Sequence, residues 1–355
     1  MDNFIDHIEI RNFKSIRHLK VGGFKRINLF LGRPNVGKSN LLEALSVFDL
    51  SYLENNRKIK LSEFVRAETP VQLFFEGEAM NGSFIKLESN GLRRTGTCNI
   101  TYNRDEKDIA SLKFDTVVQG ETSGTLKTMN SYFRNTFTFD SKLKSSNMVF
   151  SRSNYLDRIR IHPYLFRTNV NYKNIPAFFL NPPFGENLLY ILELMPELRK
   201  EYAQWFGQYG LQLVLDTASH TIKIQKQKSE FEVFQLPYSS IADTLQRIIF
   251  YKTAVASNQN SVLLFEEPEA HAYPPYITEF TQEVIRSLTN QFFIVTHSPL
   301  IVEEFLSKES IDDLGIFMVD FKDGQTAVRP LTTEEIYEVR RYGIDLFFNN
   351  EAYLS

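Results

Sequence analysis

Three short segments of this 355-residue chain carry the side-chain types that handle a polyphosphate. The first, Gly32-Arg33-Pro34-Asn35-Val36-Gly37-Lys38-Ser39, has the spacing GxxxxGKS. A polyphosphate needs many donors at once. Backbone N–H groups from Asn35 to Ser39 in a tight loop supply them without the desolvation cost of many charged side chains. Gly32 and Gly37 permit the turn, Lys38 would reach the β and γ phosphates, and the Ser39 hydroxyl would ligate Mg2+, with a helix opening at Ser39 adding its positive end. The second segment is Val262-Leu263-Leu264-Phe265-Glu266-Glu267-Pro268-Glu269. Hydrolysis needs one carboxylate at the end of a buried strand to hold the metal and a second to orient water. Glu266 falls in the first position and Glu267 in the second; the plainer alternative is a solvated acidic turn. The third segment, Thr296-His297-Ser298-Pro299, follows the apolar run Phe292 to Val295. A lone strand-end histidine is usually a structural hydrogen-bonder, but after an acidic strand His297 is placed to reach a γ-phosphate.

Elements predicted around these segments fit that chemistry. Short strands are read at Ile5 to Ile10, Ser15 to Val21 and Ile27 to Leu31, the last entering the glycine loop. Asn40 to Ser46 then has helical spacing, giving the strand–loop–helix order that nucleotide binding requires. From Val71 to Asn154 the pattern turns to short alternating runs, including Val71 to Phe75 and Ser83 to Leu87, which predict antiparallel strands. Helical spacing returns over Asn187 to Phe206, a hairpin is expected in Leu211 to Lys228, and a long helix over Ile241 to Ser257. A strand at Ser261 to Phe265, a helix near Tyr276 to Leu288, a strand at Gln291 to Val295 and a helix near Leu300 to Leu306 follow. This βαβα alternation implies a mainly parallel sheet. Asp323-Gly324 reads as a hairpin turn, not a metal site, and Thr332 to Arg341 as a closing helix.

In these three segments the chain resembles the ABC-type ATPase heads of the RecF/SMC and OLD (overcoming lysogenization defect) group of prokaryotic AAA-labelled ATPases. The resemblance extends to Ile8-Glu9-Ile10-Arg11-Asn12-Phe13-Lys14-Ser15-Ile16, to Asn35-Val36-Gly37-Lys38-Ser39-Asn40-Leu41-Leu42-Glu43-Ala44 and to Phe184-Gly185-Glu186-Asn187-Leu188. It covers residues 1 to 60 and 176 to 305. It implies an α/β fold: a parallel core sheet bearing the phosphate loop, an antiparallel β lobe near the N-terminus, and an inserted β-rich or irregular arm. The division expected is 1–80 with 176–355 for the head and 81–175 for the arm. ATP and Mg2+ are the implied ligands, with Lys14 and Asn40 joining the loop residues at the nucleotide and slow hydrolysis dependent on assembly. Such heads form a homodimer or higher oligomer in which a signature loop of one copy closes over the other's nucleotide. Here that loop is Tyr238-Ser239-Ser240-Ile241-Ala242-Asp243-Thr244, with Ser239 and Ser240 as the donors and Ala242 where the group has glycine. Glu266 stands where aspartate is commoner, and Tyr273 where a histidine usually precedes Pro274. The resemblance also implies a separate effector protein and a role in antiphage defence. A RecF-like DNA-repair ATPase and a non-hydrolysing ATP-dependent scaffold are the alternatives.

Composition narrows the field. The stretch between the phosphate loop and the acidic strand holds no sustained heptad run, which argues against long coiled-coil arms. Only 58 residues follow His297, fewer than the TOPRIM nuclease of many OLD proteins needs. A single cysteine, Cys98, permits neither an intramolecular disulfide nor thiolate zinc, and no apolar run approaches the length of a membrane span, so a cytoplasmic protein without membrane contact is expected. Charge is uneven: residues 123 to 173 hold nine Lys and Arg against two Asp, a net of +7 that leaves −10 for the rest of a chain at −3. Within that segment Lys142, Lys144, Arg152, Arg158, Arg160 and Arg167 could contact nucleic-acid phosphates while neighbouring aromatics stack on bases. The other reading makes the aromatics core-fillers and the cations solvated.

Overall fold

The computed structural model describes residues 4–48, 50, 60–89, 94–104, 110–124, 127–150, 160–308 and 310–354. By contact density the chain divides into two compact units. One contains residues 1–163, 260–267 and 288–355, and the other contains 164–259 and 268–287.

The first unit holds two sheets. Strands His7–Phe13 (β1), Ile16–Gly22 (β2), Ser83–Ser89 (β4), Arg94–Arg104 (β5), Ala110–Gly124 (β6), Lys127–Asp140 (β7) and Ser145–Phe150 (β8) form a seven-stranded antiparallel sheet in the order β2-β1-β4-β5-β6-β7-β8. Its strands alternate as period two demands: Ile8, Ile10, Ile85, Leu87, Cys98, Ile100, Leu112, Phe114, Phe137 and Phe139 are buried on one face. The second sheet runs β16-β15-β3-β14-β13-β9, from strands Ile27–Leu31 (β3), Ile161–Tyr164 (β9), Val262–Glu266 (β13), Gln291–Val295 (β14), Leu314–Lys322 (β15) and Gln325–Pro330 (β16). β15, β3, β14 and β13 pair in parallel, whereas β16 returns antiparallel through the Asp323-Gly324 turn. All five residues of β3 and of β14 are buried, as expected of parallel strands covered on both faces. Phe24, Phe30, Phe293 and Phe317 cluster between neighbouring strands at centroid distances of 4.9 to 6.4 Å.

Helix Lys38–Ser46 (α1) packs on β13 and β14, and Pro299–Lys308 (α6) meets Thr333–Tyr342 (α7). The start of α7 is legible in sequence: the Thr332 hydroxyl accepts from Glu335 N (3.2 Å), while the Glu335 carboxylate accepts from Thr332 N (2.8 Å). The second unit contains helices Leu188–Leu194 (α2), Pro196–Gly207 (α3), Asp243–Ser257 (α4) and Pro274–Arg286 (α5). It also holds a three-stranded antiparallel sheet, Gln212–Asp216 (β10), Thr221–Gln227 (β11) and Val233–Pro237 (β12).

Three expectations need correction. Val71 to Phe75 is not a strand but consecutive 3-10 turns. Pro70 opens the first of them, and the Gln72 side chain accepts from the N–H groups of Glu68 (2.6 Å) and Thr69 (3.0 Å), so local bonds replace a sheet ladder. The helix expected over Asn187 to Phe206 is two helices broken at Met195, because Pro196 begins the second. The hairpin in Leu211 to Lys228 gains a third strand, β12.

Candidate phosphate-binding site

Parallel register brings the three sequence segments to one edge. Glu266 lies beside Val295, and Val295 beside Phe30, so the chain leaves β3, β13 and β14 at adjacent points on the carboxyl side of the sheet. That is where α/β sheets bind ligands. The loop after β3 turns at Asn35 (φ 64°) and Gly37 (φ 95°), and α1 begins at Lys38 with no side-chain cap on its free N–H groups. Both glycines are also required by space. A Cβ on Gly32 would lie 2.1 Å from the Val319 carbonyl oxygen, and one on Gly37 would lie 2.0 Å from Thr326 Oγ1.

The loop is held from behind by residues far away in sequence. Thr326 Oγ1 donates to the Val36 carbonyl (2.9 Å) and lies 2.6 Å from Ser15 Oγ, which accepts from the Asn40 amide (2.6 Å). Lys38 Nζ donates to the Gly32 (2.8 Å) and Arg33 (2.7 Å) carbonyls, folded over its own loop. Burial pushes the Lys38 ammonium down to about 8, against the opposing pull of Glu267 and Glu266.

At the mouth of the loop the Ser39 hydroxyl donates to the Glu266 carboxylate. The Arg66 guanidinium joins them, from Nη2 to Glu266 Oε1 (2.7 Å) and from Nη1 to Ser39 Oγ (3.3 Å). A hydroxyl and a carboxylate oxygen are hard donors of the kind Mg2+ takes, and the guanidinium beside them marks a place that draws positive charge. The residues therefore fit the ion. Among the described residues no group of three or more His, Cys, Asp or Glu side chains could hold a metal, so its other ligands would come from phosphate and water.

Glu267 follows in a left-handed conformation (φ 43°) immediately before Pro268, a strained placement for a side chain with a Cβ. Its N–H donates to the Val295 carbonyl (2.8 Å), and its carboxylate lies 3.5 Å from His297 Nε2. Burial first, and the Lys38 charge second, push the His297 imidazole below its ordinary value against the opposing pull of Glu267 and Glu266, which favours its neutral form.

Lys14 points into α1. Its ammonium contacts the buried Glu43 carboxylate and donates to the Arg66 carbonyl (2.8 Å), while Glu43 accepts from Arg66 N (3.2 Å). Burial pushes Glu43 up and Lys14 down; their mutual contact opposes both shifts. Lys14 and Glu43 thus position Arg66, which the sequence reading missed. Its only sequence signal is a basic residue in a segment without periodicity, 200 positions before Glu266.

Ser239 and Ser240 lie in the second unit, exposed on a 3-10 turn (Tyr238–Ser240) ahead of α4. Gln246 Nε2 donates to the Ile241 carbonyl (2.9 Å) and fixes that turn, and Ala242 caps α4 without a side-chain bond. In the basic segment Phe137 and Phe139 are buried, Lys142 and Lys144 are exposed, and Arg160 is half-buried. Arg167 lies 3.6 Å over the Phe184 ring. Arg152, Tyr155 and Arg158 lie outside the described residues.

A glycine loop, an acidic strand end and a following histidine on one parallel edge make this a candidate nucleoside-triphosphate site of P-loop type. Comparison with known proteins gives partial likenesses. Residues 216–303 match the family described as "AAA domain, putative AbiEii toxin, Type IV TA system", a stretch that includes Ser239, Ser240, Glu266, Glu267 and His297. The chain is 49% identical over 41 residues, 12% of its length, to an ATP/GTP phosphatase of Helicobacter pylori. It is 31% identical over 121 residues, 34% of its length, to the DNA replication and repair protein RecF of Natranaerobius thermophilus. These matches span only 11% and 28% of the two relatives. Among solved structures, an SMC head bound to the C-winged helix domain of ScpA superposes over 94% of this chain and 99% of that one, with TM-score 0.49 and 15% identity. Residues 216–303 thus resemble an AAA-type ATPase domain, in a chain whose described residues form an α/β fold. No helix among the described residues is long and apolar enough to cross a membrane.

Proposed function

We propose that this chain is an ATP-hydrolysing head that closes as a homodimer around ATP and Mg2+ and thereby regulates a separate effector. The observation that carries this reading is the Ser39–Glu266 contact at the mouth of the phosphate loop, with Glu267 and His297 3.5 Å apart beside it. Lys38 would leave the loop carbonyls for the phosphates. Asn35 to Asn40 would donate to them, and Ser39 and Glu266 would hold Mg2+, which when bound neutralises phosphate charge. Glu267 would orient water and accept its proton, and neutral His297 would donate to the γ-phosphate. Ser239 and Ser240 would serve the nucleotide of a second copy. The head comprises residues 1–80 and 176–355, with 81–175 as an arm, and it works in the cytoplasm. The toxin–antitoxin wording of the matched family supports an antiphage role. Phosphate release measured against protein concentration tests the reading: turnover per chain should rise with concentration and vanish in Glu267→Gln, and concentration-independent turnover would overturn the shared site.

The RecF likeness favours a second reading, a DNA-stimulated repair ATPase. It requires duplex DNA to raise turnover and neutralisation of Lys142 and Lys144 to remove that rise.

A further inference from the structure

Sheet edges in soluble proteins are normally blunted by charge, proline, bulges or covering elements. The edge strand of the β10-β11-β12 sheet, Val233-Phe234-Gln235-Leu236-Pro237, holds no charged residue; its guards are Pro237 at the end and Lys228, whose Nζ lies 5.5 Å over the Phe234 ring. Val233 is 46% and Phe234 47% exposed. The bond from Lys228 N to the Glu232 carbonyl (2.9 Å) sets the ladder, so Phe234 and Leu236 bond inward to β11. Backbone N–H and C=O groups of Val233 and Gln235, with the Pro237 carbonyl, therefore point away from the sheet.

Two side-chain rows stop at this edge. On one face Gln225 Nε2 donates to Gln212 Oε1 (2.8 Å) and Gln235 Nε2 to Gln225 Oε1 (3.1 Å), an amide ladder that crosses all three strands. On the other face Leu213, Ile224 and Leu236 align beside Ile222 and Phe234.

We propose that β12 pairs antiparallel with β12 of a second copy, about a two-fold axis through Gln235. In that register Val233 N–H meets the partner's Pro237 carbonyl, and Gln235 exchanges both backbone bonds with the partner's Gln235. Proline is needed there only as an acceptor. The amide ladder runs on from Gln235 to the partner's Gln235, and Phe234 opposes the partner's Leu236. A two-fold at Phe234 would instead set Gln235 against the partner's Val233 and Glu232 against the partner's Leu236, so side-chain matching selects the first register. An isologous contact of this kind is self-complementary and closed. It lies two residues before Ser239 in sequence, and β11 packs on the turn that carries Ser239 and Ser240, so pairing would steady that turn before nucleotide arrives. The inference does not depend on the ATP reading, because the edge needs no ligand.

The test uses nucleotide-free full-length protein. Cys98 is buried, so Gln235→Cys adds the one readily accessible thiol. Under mild oxidation it should form an intermolecular disulfide at least about tenfold faster than Gln212→Cys on the far strand. In sedimentation of the unmodified chain, a self-associated species should be present and should survive Lys38→Ala. Gln235→Pro, which removes one outward donor, and Phe234→Lys, which places charge on the edge, should each weaken it at least about tenfold with unchanged circular dichroism. Equal disulfide rates at the two positions, a monomer without nucleotide, or association that requires ATP would each overturn the pairing.

Discussion

Around Lys38 the backbone is fixed from several directions at once. Thr326, Ser15 and Asn40 grip the loop, α1 packs behind it, and a Cβ on Gly37 has no room. Around Ser239 and Ser240 the chain is exposed, preceded by an edge strand that holds no charged residue and followed by a helix whose cap residue, Ala242, makes no side-chain bond. The first region is preorganised to receive anionic oxygen within a single copy, which is the arrangement that lets fixed donors act without reorganisation. The second offers donors and edges that one copy does not use. On the proposed reading, ground-state binding belongs to the first region and completion of the reaction depends on a contact the second supplies.

The largest effect expected from this contrast is on chemistry, not binding. Glu267→Gln keeps the volume and the N–H contact with Val295 but loses the group proposed to accept the water proton, so kcat should fall on the order of 10²- to 10⁴-fold while ATP affinity stays within a few-fold. Phosphate release and equilibrium binding on the same preparation check this. A loss of binding equal to the loss of turnover would mean that Glu267 holds the loop and is not a base.

Next in size is stability within the preorganised region. Lys14 and Glu43 are nearly buried, so Lys14→Met leaves the Glu43 carboxylate without its ion-pair partner, held by the Arg66 N–H, and should cost about 3 kcal/mol. Burial already pushes Glu43 up, and losing Lys14 pushes it further, so the variant should recover part of its stability as the pH is lowered and Glu43 takes a proton. Arg66→Ala removes an ion pair whose cation is 69% exposed and should cost no more than about 1 kcal/mol. Chemical denaturation of both variants sharpens the distinction between what holds the loop and what only covers it.

How much of this was legible beforehand differs between the regions for physical reasons. The glycine loop, the acidic strand end and the Asp323-Gly324 turn are set by local spacing and backbone needs, and the structure has the loop and turn where spacing put them. The grip of Thr326 and Ser15 on the loop joins positions 311 apart, and Arg66 reaches Glu266 across 200, so neither leaves a periodic trace. Val71 to Phe75 carried a strand-like alternation that Pro70 and Gln72 overrode locally. β12 was missed because its exposed apolar side chains follow no burial pattern within one copy.

A smaller effect should follow from pH. Lys38 titrates near 8 in the free protein because burial disfavours its charge, and contact with phosphate favours the charged form. The lysine must then take up a proton on binding when the pH is above that value. ATP affinity should be at its full level below pH 8 and decline above it by up to about tenfold per pH unit, until the pKa of the bound state is reached. Calorimetry in buffers of different ionisation enthalpy should detect the proton uptake, and Lys38→Arg should flatten the profile because guanidinium stays charged throughout.

The smallest effect is the one that most directly separates the regions. Ser239→Ala with Ser240→Ala should leave ATP affinity of the dilute, monomeric chain unchanged within about twofold, since on the proposed reading the donors to the nucleotide there come from Asn35 to Asn40 and Lys38. Neither serine side chain supports α4: its cap is Ala242, and the turn before it is fixed by Gln246. Stability should accordingly change by less than about 0.5 kcal/mol, as for surface positions generally. Turnover, in contrast, should lose its dependence on protein concentration, and mixing this variant with Lys38→Ala should restore about half of the activity of one site per dimer, because each copy contributes the half the other lacks. A serine variant that binds ATP poorly as a monomer would place both halves of the site in one chain and remove the distinction between the regions.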